Sequence, residues 1–443
     1  AIGCISSSRA CNEENYLMQK MTRVALNTNN IDGCARVCHA PTAFGMQKAF
    51  GTGAATNSVE DLELTDCILL FGANPTEAHP VTGAKIKQLF MQGVTSIVVD
   101  PVKTSLAKLA TYHLQLRPGT NVALLNMMGH YIVKEGAVKT EFINKFTEQY
   151  DSFYNHVISL DMDELEELTG VSKELVKKAA LAYAASERAM ELHGLGVTEH
   201  FQGSKTVMLL SNLAMMTGNI GRPGVGLNPL RGQNNVQGAA DMGVQPHQGA
   251  GYMDINDPEV QDYYAKKYGI PSMPEKEGLK IPEMLDAAIS GKFKALWIMG
   301  EDTLMTDPNT MHIRKAMEQL DLLIVQELFM SATAEMADVV LPASSYFEKN
   351  GTFTNGERRV QRVNKVIEPI GNTKSDGQMI IDMMHRLGYE QPTGPVYDAE
   401  KLLEEIAGVI PFMKGITWER LGKNGLQWPV HEDGTDTKII HPN

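Results

Sequence analysis

Five short apolar runs, each breaking abruptly into polar or turn-forming residues, constrain this chain most. They read "DCILLFGANP" (66–75), "SIVVDP" (96–101), "ALWIMGED" (295–302), "LLIVQELF" (322–329) and "ADVVLPASS" (337–345). An apolar run without alternation suits a strand buried on both faces of a parallel sheet, and such strands offer ligand sites at their carboxyl ends. "TYHLQLRPG" (111–119) reads as a further strand of the first group. Between the runs, helical spacing is expected over 12–26, 80–92, most of 121–190 with an Ala-rich stretch at 176–190, and 204–216. Strands alternating with helices define layered α/β domains. A second α/β unit is expected to begin after the polar, proline-containing stretch 269–282, and the first ten residues read as a cut edge, the tail of a strand or loop.

The 443 residues exceed what one hydrophobic core normally serves, so two or three domains are expected. A formal net charge of -13 gives no broad positive field for nucleic acid, and no apolar run reaches membrane-spanning length. Five cysteines are too few for a disulfide scaffold and favour a reducing, cytoplasmic compartment.

Three places carry candidate chemistry. "GCARVCHAPT" (33–42) sets His39 directly after Cys38, with Cys34 four residues earlier. A thiolate binds a soft or high-valent metal and an imidazole exchanges a proton near neutrality. The plain alternatives are a buried thiol, a disulfide half, or Cys34 and Cys38 as half of a zinc or iron–sulfur site that lacks a second cysteine pair. The segment 217–243, "TGNIGRPGVGLNPLRGQNNVQGAADMG", is dense in glycine and asparagine and suits an ordered loop around a polar ligand, or else a linker. Within it Arg231 is placed to orient a small anion, unless it faces solvent or braces the loop. At the strand ends, Asp100 is a carboxylate able to accept from a guanine edge, or a simple cap.

These segments, with "QELFMSATAEMADVVLPASSYFEKNGTFTNGERRVQR", stand in the same order as in the molybdenum- or tungsten-containing formate dehydrogenase catalytic subunit, which the chain resembles over nearly its whole length. "HAPT" departs from the family's more familiar "HGPS". The resemblance implies two Rossmann-like α/β/α lobes of the formate dehydrogenase/DMSO reductase fold. It divides the chain into 1–33, a residual part of the second lobe; 34–234, carrying the metal-ligand cysteine and one pterin guanine dinucleotide; and 235–443, binding the other. It implies a bis-molybdopterin guanine dinucleotide with molybdenum or tungsten, with Cys38 as the protein ligand to the metal. His39 and Arg231 then match the catalytic histidine and the substrate-side arginine. Cofactor contacts are expected at Asn74, His79, Asp100, Gly218, Asn219, Gly221, Gly232, Gln233, Asn234, Gly300, Glu301, Asp302, Gln326 and Glu327, with Arg358 and Arg359 paired to phosphate or pterin.

The expected reaction is oxidation of formate to carbon dioxide, with an iron–sulfur or flavoprotein electron-transfer subunit as partner, no nucleic acid and no membrane insertion. A related nitrate reductase and a noncatalytic pterin-binding or assembly module are the alternatives. The family's N-terminal [4Fe-4S] region and C-terminal β-rich domain have no counterpart in these residues, so a central fragment, inactive by itself, is expected.

Overall fold

A computed structural model describes residues 2–441. Its strands are β1 (Ile2–Ser6), β2 (Ile31–Gly33), β3 (Cys67–Phe71), β4 (Thr95–Val99), β5 (Tyr112–Leu114), β6 (Ala189–His193), β7 (Gly226–Pro229), β8 (Ala295–Met299), β9 (Leu322–Glu327), β10 (Val339–Pro342), β11 (Gly351–Thr354), β12 (Arg359–Val363) and β13 (Leu426–Gln427). The chain divides into two units: Ala1–Val37 with Gln233–Thr437, and Cys38–Gly232 with Lys438–Asn443. Against the expected limits of 34–234 and 235–443, residues 34–37 thus group with the first unit. The stretch from Lys438 groups with the second, where Ile440 N–H donates to the Thr56 carbonyl (3.0 Å) and Lys438 pairs with Glu60 (3.0 Å).

The second unit is built on a wholly parallel sheet of order β5-β4-β3-β6-β7. Alternate residues of β3 enter two different cores: Cys67, Leu69 and Phe71 pack on one face, Ile68 and Leu70 on the other. Two covered faces explain the uninterrupted apolar run. Counted from β3, the order is 3-2-1-4-5, and the chain reverses direction across the sheet between β3 and β6. Ligands bind outside the carboxyl ends at such a reversal. Gly72 sits there with φ +58°, and a Cβ on it would lie 2.6 Å from the Gly196 carbonyl carbon, so the two loops meet only because neither residue has a side chain.

The first unit's main sheet is also parallel, in the order β10-β9-β8-β1-β2. Counted from β8 this is again 3-2-1-4-5, with β1 and β2 taking the last two places. The opening residues are therefore an internal strand of this sheet, and the α/β unit expected to start after 269–282 already includes them. A small antiparallel sheet, β11-β12-β13, belongs to the same unit. The helix Asn12–Val24 is buried along nearly its whole length, including Glu13, Glu14, Lys20 and Arg23.

Two expected elements differ. The Ala-rich helix ends at Ala185, and Ala189 and Met190, assigned to it by composition, open strand β6. The segment 217–243 is not all loop: it contains β7 and the helix Val236–Asp241. A four-residue strand that includes glycine, asparagine and proline has no apolar run to announce it.

Candidate active site at a carboxyl sheet edge

In the second unit, Cys38, His39 and Arg231 are all anchored to the carboxyl edge of one sheet. Cys38 closes the helical turn Ala35–Cys38, and Thr198 Oγ1, from the loop after β6, donates to its carbonyl (2.9 Å). His39 stands at the N-terminus of helix Ala40–Phe50, where Pro41 fits the first turn. Its Nδ1 lies 3.1 Å from Thr42 Oγ1, which lies 3.0 Å from His193 Nε2 at the end of β6. Arg231 follows β7. Its preceding N–H, on Leu230, donates to the His193 carbonyl (2.8 Å), its Nη2 donates to the Gly53 carbonyl (2.9 Å), and its own carbonyl lies 2.6 Å from His79 Nε2.

The electrostatics separate one cation, Arg231, from two neutral rings, His39 and His193. Burial, and then the Arg231 charge, hold His39 well below its ordinary value. The same causes in the same order press His193 down to about 3. A fixed guanidinium can carry the charge that a small anion needs, and neutral imidazoles beside it can supply directed hydrogen bonds.

Along the same edge, a cleft of about 270 Å³ is lined by Gly72, Asn74, Asp100, Pro101, Asn121 and Gly196. Burial raises the Asp100 carboxyl against an opposing bond from the Val102 N–H (2.7 Å). The first unit repeats the arrangement with different side chains. Gly300, at φ +58°, follows β8 and its carbonyl accepts from Ser7 Oγ (2.7 Å). Asp302 Oδ1 accepts from the Thr333 N–H (3.0 Å) and hydroxyl (2.7 Å), which commits it to the local loop. Glu301 accepts from Thr306 Oγ1 (2.9 Å) and pairs with Arg9 (3.5 Å). Gln326 donates to Asp376 (2.7 Å), and Glu327, raised by burial, accepts from the Leu328 N–H (2.7 Å).

Several expected contacts are spent elsewhere. Asn219 braces the opposite, amino edge of the second unit's sheet: its Oδ1 accepts from the Ala189 N–H (3.1 Å), and its carbonyl accepts from the Gly226 N–H (3.0 Å). Gly218 and Gly221 lie in the same turn with φ +64° and +78°. The structure does not bring these three to Asp100 or Arg231. Gly232 and Asn234 are exposed and Gln233 is half-buried. The neighbouring Asn235, not singled out from sequence, joins the Ala10 carbonyl (2.7 Å) to the Thr354 N–H (2.7 Å). Arg358 is buried, donates to the carbonyls of Trp428 and Thr437, and lies over the Trp428 ring. Arg359 pairs with Glu357 (2.8 Å) and bonds Gln427 (3.0 Å). Neighbours of its own fold therefore take up the charge expected for phosphate.

Sequence reasoning missed Thr42 and His193 in the second unit, and Ser7, Ser8, Arg9 and Asp307 in the first. Asp307 is pushed up to about 6 by burial and by Glu301. The available signal was the "SSR" that follows the strand "IGCIS", a strand-to-loop break like those at 72–75 and 300–302.

No disulfide joins any of the five cysteines, Cys34 and Cys38 included. Among the described residues no three His, Cys, Asp or Glu side chains gather to hold a metal, and the zinc or iron–sulfur reading of that pair finds no completing ligands. Both sheet edges fit a large polar cofactor. Fully buried polar atoms there have no hydrogen-bond partner among the described residues: His39 Nε2 and His193 Nδ1 in the second unit, Ser8 Oγ, Thr303 Oγ1, Gln326 Oε1 and Ser344 Oγ in the first. Buried polar atoms in such number call for a partner.

Two parallel α/β sheets with unsatisfied buried polar atoms at their carboxyl edges suit a protein that binds a large polar cofactor, and the chain belongs to the molybdopterin oxidoreductase family, whose model matches residues 1–386. Membership implies a molybdenum or tungsten pterin cofactor. The chain is 45% identical over 99% of its length to the F420-dependent formate dehydrogenase subunit alpha of Methanocaldococcus jannaschii, of which it covers 65%. It is 40% identical over 98% of its length to formate dehydrogenase H of Escherichia coli, of which it covers 60%. It thus spans less than two thirds of these relatives. Acetylene hydratase from Pelobacter acetylenicus has the same fold, with a TM-score of 0.75 at 20% identity over 96% of this chain and 60% of that one. No described helix is long and apolar enough to cross a membrane.

Proposed function

We propose that the protein to which this chain belongs oxidises formate to carbon dioxide, as the catalytic subunit of a formate dehydrogenase. The observation that carries this reading is the Arg231 guanidinium, fixed through Gly53 and His79 beside the buried, neutral His39. The relatives named formate dehydrogenase support it. Arg231 receives the formate carboxylate through paired N–H donors, and His39 supplies a further directed hydrogen bond and handles the proton released with the product. Burial keeps water from competing for these donors. Cys38 supplies the protein thiolate to the metal, and the bound metal centre supplies a two-electron acceptor.

The cofactor is read as bis-pterin guanine dinucleotide. Two parallel sheets of one strand order, each with polar residues at its carboxyl edge, give one dinucleotide cradle per sheet. In the second unit Asp100, which lines the cleft, would accept from the guanine ring N–H and amino group. In the first, Gly300, Glu301 and Gln326 line the corresponding edge. A [4Fe-4S] cluster would supply the electron exit, and an iron–sulfur or flavoprotein subunit would be the acceptor. Five cysteines with no disulfide among them support a reducing, cytoplasmic setting.

The test uses the full-length protein, purified without oxygen and analysed for metal, pterin and nucleotide alongside dye reduction with formate and dye oxidation with nitrate. Formate turnover with stoichiometric molybdenum or tungsten is expected. Replacing Arg231 with lysine, which loses the paired geometry, should lower formate kcat/KM by about 10- to 150-fold, the effect of one charged hydrogen bond. Nitrate turnover without formate turnover, or full metal occupancy and normal rate in Cys38→Ala, would overturn the assignment.

A further inference from the structure

Residues 194–198, which leave β6, touch two parts of the second unit. The Gly194 N–H donates to the Phe71 carbonyl (3.2 Å) and the Gly196 N–H to the Gly72 carbonyl (3.0 Å), while the Gly196 carbonyl accepts from Asn121 Nδ2 (3.0 Å). Those bonds fix the segment against the cleft that Gly72, Asp100, Asn121 and Gly196 line. At the end of the same helical turn, Leu195–Thr198, the Thr198 hydroxyl donates to the Cys38 carbonyl (2.9 Å), and Thr198 is 2% exposed. Pro41, three residues after Cys38, has no N–H to give that carbonyl, so the threonine brings a donor from outside the turn. The backbone of Thr198 is equally confined. A Cβ on Gly203 would lie 2.3 Å from the Thr198 carbonyl oxygen and 3.2 Å from Pro41 Cβ, so Thr198 and the start of helix Ala40–Phe50 close on a residue that has no side chain.

We propose that Thr198 is a positioning residue: it ties the backbone of Cys38 to the segment that walls the Asp100 cleft, and so sets where the Cys38 thiol stands relative to a cofactor held there. A buried carbonyl that loses its donor lets its turn open more often. That the thiol meets a metal rests on the reading of Cys38 as the ligand. The tie itself does not.

The test is alkylation by iodoacetamide of the full-length protein, prepared without oxygen both with and without its metal cofactor, the rate at each cysteine being read by peptide mass spectrometry. Cys38 is buried, so it reacts when its turn opens. Thr198→Val keeps the side-chain shape and removes the donor. It should speed reaction at Cys38 about three- to tenfold in both preparations, the worth of one neutral hydrogen bond, and Thr198→Ser should restore the wild-type rate. Cys4 and Cys67, fully buried in their own cores, should react no faster, which separates a local opening from a general loss of stability. An unchanged Cys38 rate in Thr198→Val, a rise matched at Cys4 and Cys67, or no rescue by serine overturns the proposal. A faster, serine-rescued Cys38 in the valine variant, together with a wild-type rate that does not depend on bound metal, supports the role of Thr198 and overturns the ligand reading.

Discussion

His79 Nε2 lies 2.6 Å from the carbonyl oxygen of Arg231, tying the loop after β3 to the loop after β7. The histidine holds the backbone of Arg231, the residue proposed to receive formate, and so is expected to act by placing it. His79→Ala should raise formate KM about three- to tenfold, as expected for one hydrogen bond, while metal and pterin content stay at wild-type levels. Steady-state kinetics with metal analysis on the same sample checks this. Loss of cofactor in the variant would instead make His79 a cofactor contact.

The carboxyl edges were legible in the sequence because buried parallel strands end in the same chemistry wherever they occur. Cys67–Phe71, Ala295–Met299, Leu322–Glu327 and Val339–Pro342 lie within the runs that announced them, and Thr95–Val99 begins one residue before its run. Gly226–Pro229 was hidden because as an edge strand it pairs on one side only, through β6, and needs no apolar run. The helix Asn12–Val24 was legible as a helix, but not as a buried one carrying four charged side chains. Its charges are neutralised by partners hundreds of residues away, such as Lys349 for Glu14 and Glu405 for Lys20. Thr42 and His193 were invisible for the same reason: they are 151 residues apart, and only the fold joins them.

Glu191 is a fully buried carboxyl on β6 that accepts from the Tyr183 hydroxyl, and its Oε2 has no partner among the described residues. Burial raises it from 4.5 to about 8. Between those values the folded protein keeps a proton that the unfolded chain has released, so stability is full below the lower value and falls as pH rises through the upper one. Glu191→Gln keeps an acceptor for Tyr183 and removes the titration. Its Tm should match wild type near about pH 5 and exceed it near about pH 8. Parallel Tm profiles across this window would show that the carboxyl is not held neutral.

Asp100 should decide which base the second unit's cradle accepts. Its carboxylate takes two donors from guanine, whereas an amide offers one acceptor and one donor. Asp100→Asn should lower the guanine nucleotide released on acid hydrolysis of the purified holoprotein, and leave Cys38 and Arg231 in place. Undiminished guanine content would confine Asp100 to its bond with the Val102 N–H.

Lys349 sits between the buried carboxylates of Glu14 (2.8 Å) and Asp376, and Asp376 also accepts from Gln326 (2.7 Å) on the first unit's sheet edge. Burial alone would pull the ammonium down, but Asp376 and Glu14 more than offset it and hold Lys349 above its ordinary value. Removing the cation leaves two like charges buried at close range. Lys349→Met should therefore destabilise the protein by about 3–5 kcal/mol, the usual cost of stranding a buried charge. Burial already raises Glu14, and without the lysine it protonates more readily when folded than when unfolded, so the deficit should shrink as pH falls towards about 5. Adding Asp376→Asn should recover part of it. Urea denaturation of the three proteins at two pH values gives the answer: a deficit below about 1 kcal/mol that does not change with pH would place the cluster among solvent-screened pairs.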